Sequence, residues 1–241
     1  MNLDKTKTLN LNDIVQIDFP DNQYIQNISP KKQICIHHSA GWDNARGMFA
    51  GWAADSQRVA TCCAINDEGT IFQAFSSRYY GWHINPYSKG NQLTWKQRMM
   101  RSLPSSKYEE QSIGVEILNW GPVQLRNGEF FTWVGNFGLK GRGVTIPENK
   151  IVEYAGEGWR GYKYYERYTD QEMQSLYELL KFWMDRYEIP CNFSHELFEI
   201  REEALRGDAG VFSHCSYRTD KFDCHPQHEL IQVLNALRHH V

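Results

Sequence analysis

Apolar positions in the first half of this 241-residue chain fall into short runs, and those in the second half into helical periods. "QICIHHS" (33–39) gathers Ile34, Cys35 and Ile36 into a run of strand length, after a polar lead-in closed by Pro30. "NARGMFAGWAAD" predicts a short helix. "RVATCCAINDEGTIFQAF" predicts two strands joined at Asp67-Glu68-Gly69, with Gly69 supplying a positive φ. "SIGVEI" (112–117) returns to strand character. The clearest helix opens at Thr169, where "TDQE" is a capping box. Met173, Leu176, Tyr177, Leu180, Trp183, Met184 and Tyr187 then keep a helical period until Pro190. "SHELFEIREEAL" predicts another helix, and "PQHELIQVLNALRHH" a third with Leu230, Ile231, Leu234 and Leu237 inward.

Two stretches, about 84–111 and 122–168, show no period and read as expanded loops, which beside a sheet usually carry function. The order of elements predicts one α/β domain over 31–241, a mixed central β-sheet flanked by helices, with residues 1–30 as a lead-in. There is no internal repeat.

Composition narrows the partners. Hydrophobic residues make up 41% and charged residues 23%, the balance of an ordinary globular domain. A net charge of −3 gives no reason to expect nucleic acid or an anionic membrane, and no run is long enough to span a bilayer. The start "MNLDKTKTLNLNDIVQIDF" lacks a signal-peptide core, so a cytoplasmic monomer with six free thiols is expected. Aromatic content of 14% suits a carbohydrate cleft and an ordinary core alike, and so does the Tyr-rich stretch 154–168.

His37 ends the first buried strand, and His214 follows apolar Val211-Phe212. Asp223 and Cys224 stand nine and ten residues further on. Two histidines and a carboxylate leave a fourth zinc position open, the arrangement of catalytic rather than structural sites. Nine histidines supply such trios by accident, however, and spacing alone does not decide. A thiol hydrolase using Cys215 or Cys224 is a rival reading, and Glu116 taken alone is an ordinary edge carboxylate.

"ICIHHSAG", "ATCCAINDEGTIFQAF", "YGWHI", "SIGVEI" and "GVFSHCSYRTDKFDCHP" occur in the order and approximate spacing of one family. Together they resemble the zinc-dependent N-acetylmuramoyl-L-alanine amidases, a group that includes amidase-type phage lysozymes, bacterial anhydromuramyl-peptide amidases and peptidoglycan recognition proteins. The matching blocks span about 33–238, and "WRGYKYYERYTDQ" looks like the expanded central region of larger phage and bacterial members. The resemblance implies a peptidoglycan substrate and Zn2+ held by His37, His214 and Asp223. It also implies Glu116 as proton shuttle and Lys221 as oxyanion partner. Trp82 and His83 would contact substrate from the cleft wall. His38 points away from the metal if the strand alternates, and is left to substrate or a local bond. His225 and His228 are expected to cap the last helix.

The chain departs from the family pattern in three ways, one of them a spacing from His214 to the third ligand that is one residue shorter than in many Asp-type members. Cys224 replaces the usual Pro after the third ligand, which keeps it an alternative to Asp223. The position of the family's alternative catalytic Tyr falls on Thr61, which leaves the acid–base role to Glu116. The resemblance implies an endolysin, with a wall-recycling amidase or a non-catalytic peptidoglycan-binding module as alternatives.

Overall fold

The computed structural model describes residues 1–132, 143–192 and 195–238. After β1 (Val15–Gln16), β2 (Gln33–His38) leads to helix α1 (Ala45–Ala53) and the antiparallel hairpin of β3 (Cys63–Ile65) and β4 (Ile71–Gln73). Helices α2 (Trp95–Met100) and α3 (Ser105–Glu110) precede β5 (Ser112–Ile117). Then come β6 (Pro122–Arg126), β7 (Glu129–Thr132), β8 (Thr145–Ile146), β9 (Ile151–Glu153) and β10 (Tyr164–Glu166). Helix α4 (Asp170–Tyr187), α5 (Glu202–Arg206), β11 (Gly210–Ser213) and α6 (His228–Arg238) complete the order. No described helix is long and apolar enough to cross a membrane.

The main sheet has the order β1-β4-β3-β5-β2-β11 and is mixed, as expected. Strand β2 lies parallel to both β5 and β11, and β3 lies parallel to β5. Alternation along β2 and β5 divides the core. Ile34, Ile36, Ile113, Val115 and Ile117 enter the larger cluster beneath α1, α4 and α6, while Cys35 enters a smaller one with Ile84, Tyr108 and Phe212. Each fully buried aliphatic side chain contributes roughly 1.5–3 kcal/mol by leaving water, so the larger face anchors the sheet. The thinner face is where the parallel strands deliver their polar ends.

Thr169 caps α4 through the expected box: its hydroxyl accepts from Glu172 N–H, and the Glu172 carboxylate accepts from Thr169 N–H. Gly69 takes φ +79° in the β3–β4 turn. The "SHELFEIREEAL" stretch forms a 3-10 turn at His195–Phe198 and the separate five-residue α5, because Ile200 and Arg201 leave the helical path between them.

Residues 122–168 correct the sequence reading. Where loop was expected, a second antiparallel sheet of order β8-β7-β6-β10-β9 stands on a small core of Trp120, Val123 and Ile146. Its strands are two to five residues long, too short for an apolar period to register. A signal was nevertheless present: Asn127-Gly128, with φ of +51° and +82°, is the dipeptide that closes two-residue hairpins. The excursion at 84–111 likewise contains two short helices. His239 and His240, to which the sequence assigns no role, lie outside the described residues.

Candidate active site

The C-terminal ends of β2, β5 and β11 meet on the thinner face. His37 is opposite Glu116 in the β2–β5 register, and β11 runs straight into His214. His37 Nδ1 and His214 Nδ1 are 3.1 Å apart, and each lies 2.9 Å from Asp223 Oδ2. All three residues are buried. Cys224, the alternative ligand, is fully buried in the larger core instead.

Outer bonds fix which ring nitrogens carry hydrogen. His214 Nε2 lies 2.9 Å from the Ile84 carbonyl oxygen, which only accepts, so Nε2 is the protonated nitrogen and Nδ1 keeps its lone pair. Ser112 Oγ donates its one hydrogen to Glu109 O (3.2 Å) and therefore accepts from His83 Nε2–H (2.7 Å). His83 Nδ1 is then an acceptor and takes the His37 Nε2–H at 3.0 Å. His37 Nδ1 is left with a lone pair. Burial holds His214 down to about 3, against the pull of Asp223, so its ring is neutral at ordinary pH.

Two imidazole lone pairs and a carboxylate oxygen thus face one another without a hydrogen to share. Such a cluster repels itself unless a cation sits among its members, and N, N, O is a donor set zinc accepts. All three ligand atoms fall within 4.8 Å of one another. The residues fit the metal.

Glu116 is buried, and its Oε2 has no hydrogen-bond partner among the described residues. Burial raises its carboxyl to about 7, with His37 opposing and Asp223 assisting. A carboxyl poised there exchanges protons readily at neutral pH.

A family model described as N-acetylmuramoyl-L-alanine amidase matches residues 27–226. The chain belongs to that family. The amidase is therefore a hydrolase acting on peptidoglycan. No curated protein matches it. Among solved structures, a mutant of PlyL gives a TM-score of 0.50 at 12% identity, covering 94% of this chain and 98% of that one. The amidase LysC from Clostridium intestinale URNW gives 0.44 at 14%, covering 92% and 95%. Manduca sexta Peptidoglycan Recognition Protein-1 gives 0.40 at 11%, covering 92% and 89%. At 12% identity the likeness to the PlyL mutant is one of fold.

The amidase's cleft has a volume of about 800 Å³ and opens over the triad, with Trp82, Thr61, Pro122 and Lys221 among its lining residues. Lys221 makes no ion pair with a carboxylate among the described residues, and its loop is held from behind. Arg160, from the turn before β10, donates to the carbonyls of Thr219 (3.1 Å), Lys221 (2.7 Å) and Phe198 (3.1 Å). His83 lines the cleft, but both its ring nitrogens are bonded inward, so its main contact is His37 rather than solvent. Its ring packs against Gly114, where a Cβ would come within 3.0 Å of Nδ1 and 2.7 Å of Thr61 Cγ2.

His38 points to the other face, as alternation requires, and its Nδ1 bonds the Tyr168 hydroxyl at 2.9 Å while the residue still borders the cleft. Thr61 Oγ1 donates to Cys63 O. His225 does not cap α6. It stacks on Tyr168 at 4.2 Å, bonds Tyr154 through Nδ1 and donates from Nε2 to Glu166 O. The tyrosines of 154–168 thus include three, Tyr154, Tyr165 and Tyr168, that pack around a buried histidine. Cys215 and Cys224 are buried, and burial pushes both thiols well above their ordinary range, which leaves no thiolate for the rival mechanism. Sequence reasoning missed Glu109, Ser112 and the Ile84 carbonyl. Glu109 stands in the polar run "KYEEQ", where nothing distinguishes it from a surface carboxylate.

Proposed function

We propose that the chain is a zinc-dependent hydrolase that cuts the amide between N-acetylmuramic acid and L-alanine. We propose further that it acts as a phage or prophage endolysin. The observation that carries the zinc reading is the set of three mutually facing acceptors on His37, His214 and Asp223. When bound, zinc supplies Lewis acidity toward the scissile carbonyl and lowers the pKa of a water.

The chain's own groups do the rest. The Glu116 carboxylate takes a proton from the water as oxygen attacks the lactyl carbonyl carbon. Glu116 then gives that proton to the L-alanine nitrogen as the C–N bond breaks. The Lys221 ammonium faces the negative oxygen that develops on the former carbonyl. His37 and His214 present lone pairs, and their far nitrogens hold the rings in place.

The test is digestion of purified peptidoglycan with analysis of the new ends, before and after chelation and zinc return. Free L-alanine amino groups that vanish with chelator and reappear with zinc support the reading; chelator-insensitive release overturns it. Loss of turbidity of intact wall preparations supports the endolysin role, while activity confined to small soluble muropeptides replaces it with wall recycling. Lys221→Met is expected to lower kcat by about 10²–10³ with KM little changed, as loss of an oxyanion donor does. An unchanged kcat would remove Lys221 from the reaction.

A further inference from the structure

Glu109 is the penultimate residue of the short helix α3, and it is 0% exposed. A carboxylate in that position must find donors. It finds three consecutive backbone N–H groups: Oε2 accepts from His83 at 2.9 Å and Ile84 at 3.0 Å, and Oε1 accepts from Asn85 at 2.7 Å. Burial raises its carboxyl above the ordinary range, and the three backbone bonds pull it back.

The segment so gripped, 83–85, touches both histidines of the triad. The Ile84 carbonyl accepts from His214 Nε2–H, and the His83 ring accepts from His37 Nε2–H. Glu109 also supplies the carbonyl that receives the Ser112 hydroxyl, the last bond in the chain that sets the His83 tautomer. One side chain and its own backbone therefore stand behind the far nitrogen of each imidazole. We propose that Glu109 is the positioning residue of the metal centre, holding His37 and His214 in the tautomer and orientation that present Nδ1 to the ion. The proposal rests on the zinc reading above.

A glutamate is required because only a carboxylate offers two acceptor oxygens to three parallel donors. Glutamine keeps one acceptor and turns an NH2 group against a backbone N–H. Partners that orient metal-binding histidines typically carry a 10–100-fold share of metal affinity.

Zinc itself is the probe, titrated into the full-length protein against a competing chelating dye, alongside imidazole 15N spectra of the metal-free protein. In the wild type both His37 and His214 are expected as Nε2–H tautomers. In Glu109→Gln, zinc Kd is expected to rise about 10–100-fold. Its two histidines would show mixed tautomers, and KM at saturating zinc would stay unchanged. A folded Glu109→Gln that binds zinc as tightly as the wild type overturns the proposal. Should that variant not fold, the wild-type spectra decide: a Nδ1–H tautomer on either ring overturns it, and Nε2–H on both supports it. Failure of the wild type to bind zinc is a different result, which removes the zinc reading while the tautomers still report on Glu109.

Discussion

Glu116→Gln is expected to lower kcat by about 10²–10⁴, the share a positioned general acid–base group carries, while zinc content stays at the wild-type level. Glutamine fills the same space beside His37 but takes up no proton from water. A second consequence follows in the metal-free protein. The Glu116 carboxyl titrates at about 7 when folded against an ordinary 4.5, so between those values the native state binds the extra proton. Stability from this group is therefore complete below pH 4.5 and is lost as pH rises toward 7. The loss at higher pH is up to about 3 kcal/mol at 1.36 kcal/mol per unit. Metal-free Glu116→Gln should accordingly be more stable than the wild type at pH 8 and no more stable at pH 4, measured by urea denaturation at both. Full activity in Glu116→Gln would end the proposed role, and equal stability at both values would show that the carboxyl is solvated.

His214→Ala is expected to abolish both zinc retention and cleavage. The wild type should carry about one zinc per chain by elemental analysis, as three protein ligands and an open position imply. The variant should carry essentially none. His214 contributes one of the three ligand atoms grouped among the described residues, which makes the effect large. An ion bound only by the native state stabilises that state, so a lower melting temperature should accompany the loss of metal. A His214→Ala variant that still holds zinc and cleaves peptidoglycan would place the metal elsewhere.

The main sheet was legible because strands buried on both faces read as plain apolar runs, and in β2 and β11 those runs end in histidine. The capping box at Thr169 was equally plain. The triad was only partly legible, since spacing could not separate Asp223 from Cys224. The fold separates them by sending adjacent side chains in opposite directions, one to the histidines and one to the core. The second sheet, apart from its Asn127-Gly128 turn, was hidden for a different reason. Strands of two to five residues bury too little each to impose a period, and they hold together by pairing across chain distances such as Val123 with Tyr164. Glu109 was hidden because its donors are backbone groups, which leave no trace in side-chain identity.

Arg160 decides what can be taken away from this protein. An engineer seeking a compact amidase would see the region between 122 and 168 as the obvious piece to excise, since it adds a sheet beside the sheet that carries the triad. Yet the guanidinium that props up the Lys221 loop comes from inside that piece. A linker bridging the gap would remove that support, and the shortened chain would need a new one for the Lys221 loop.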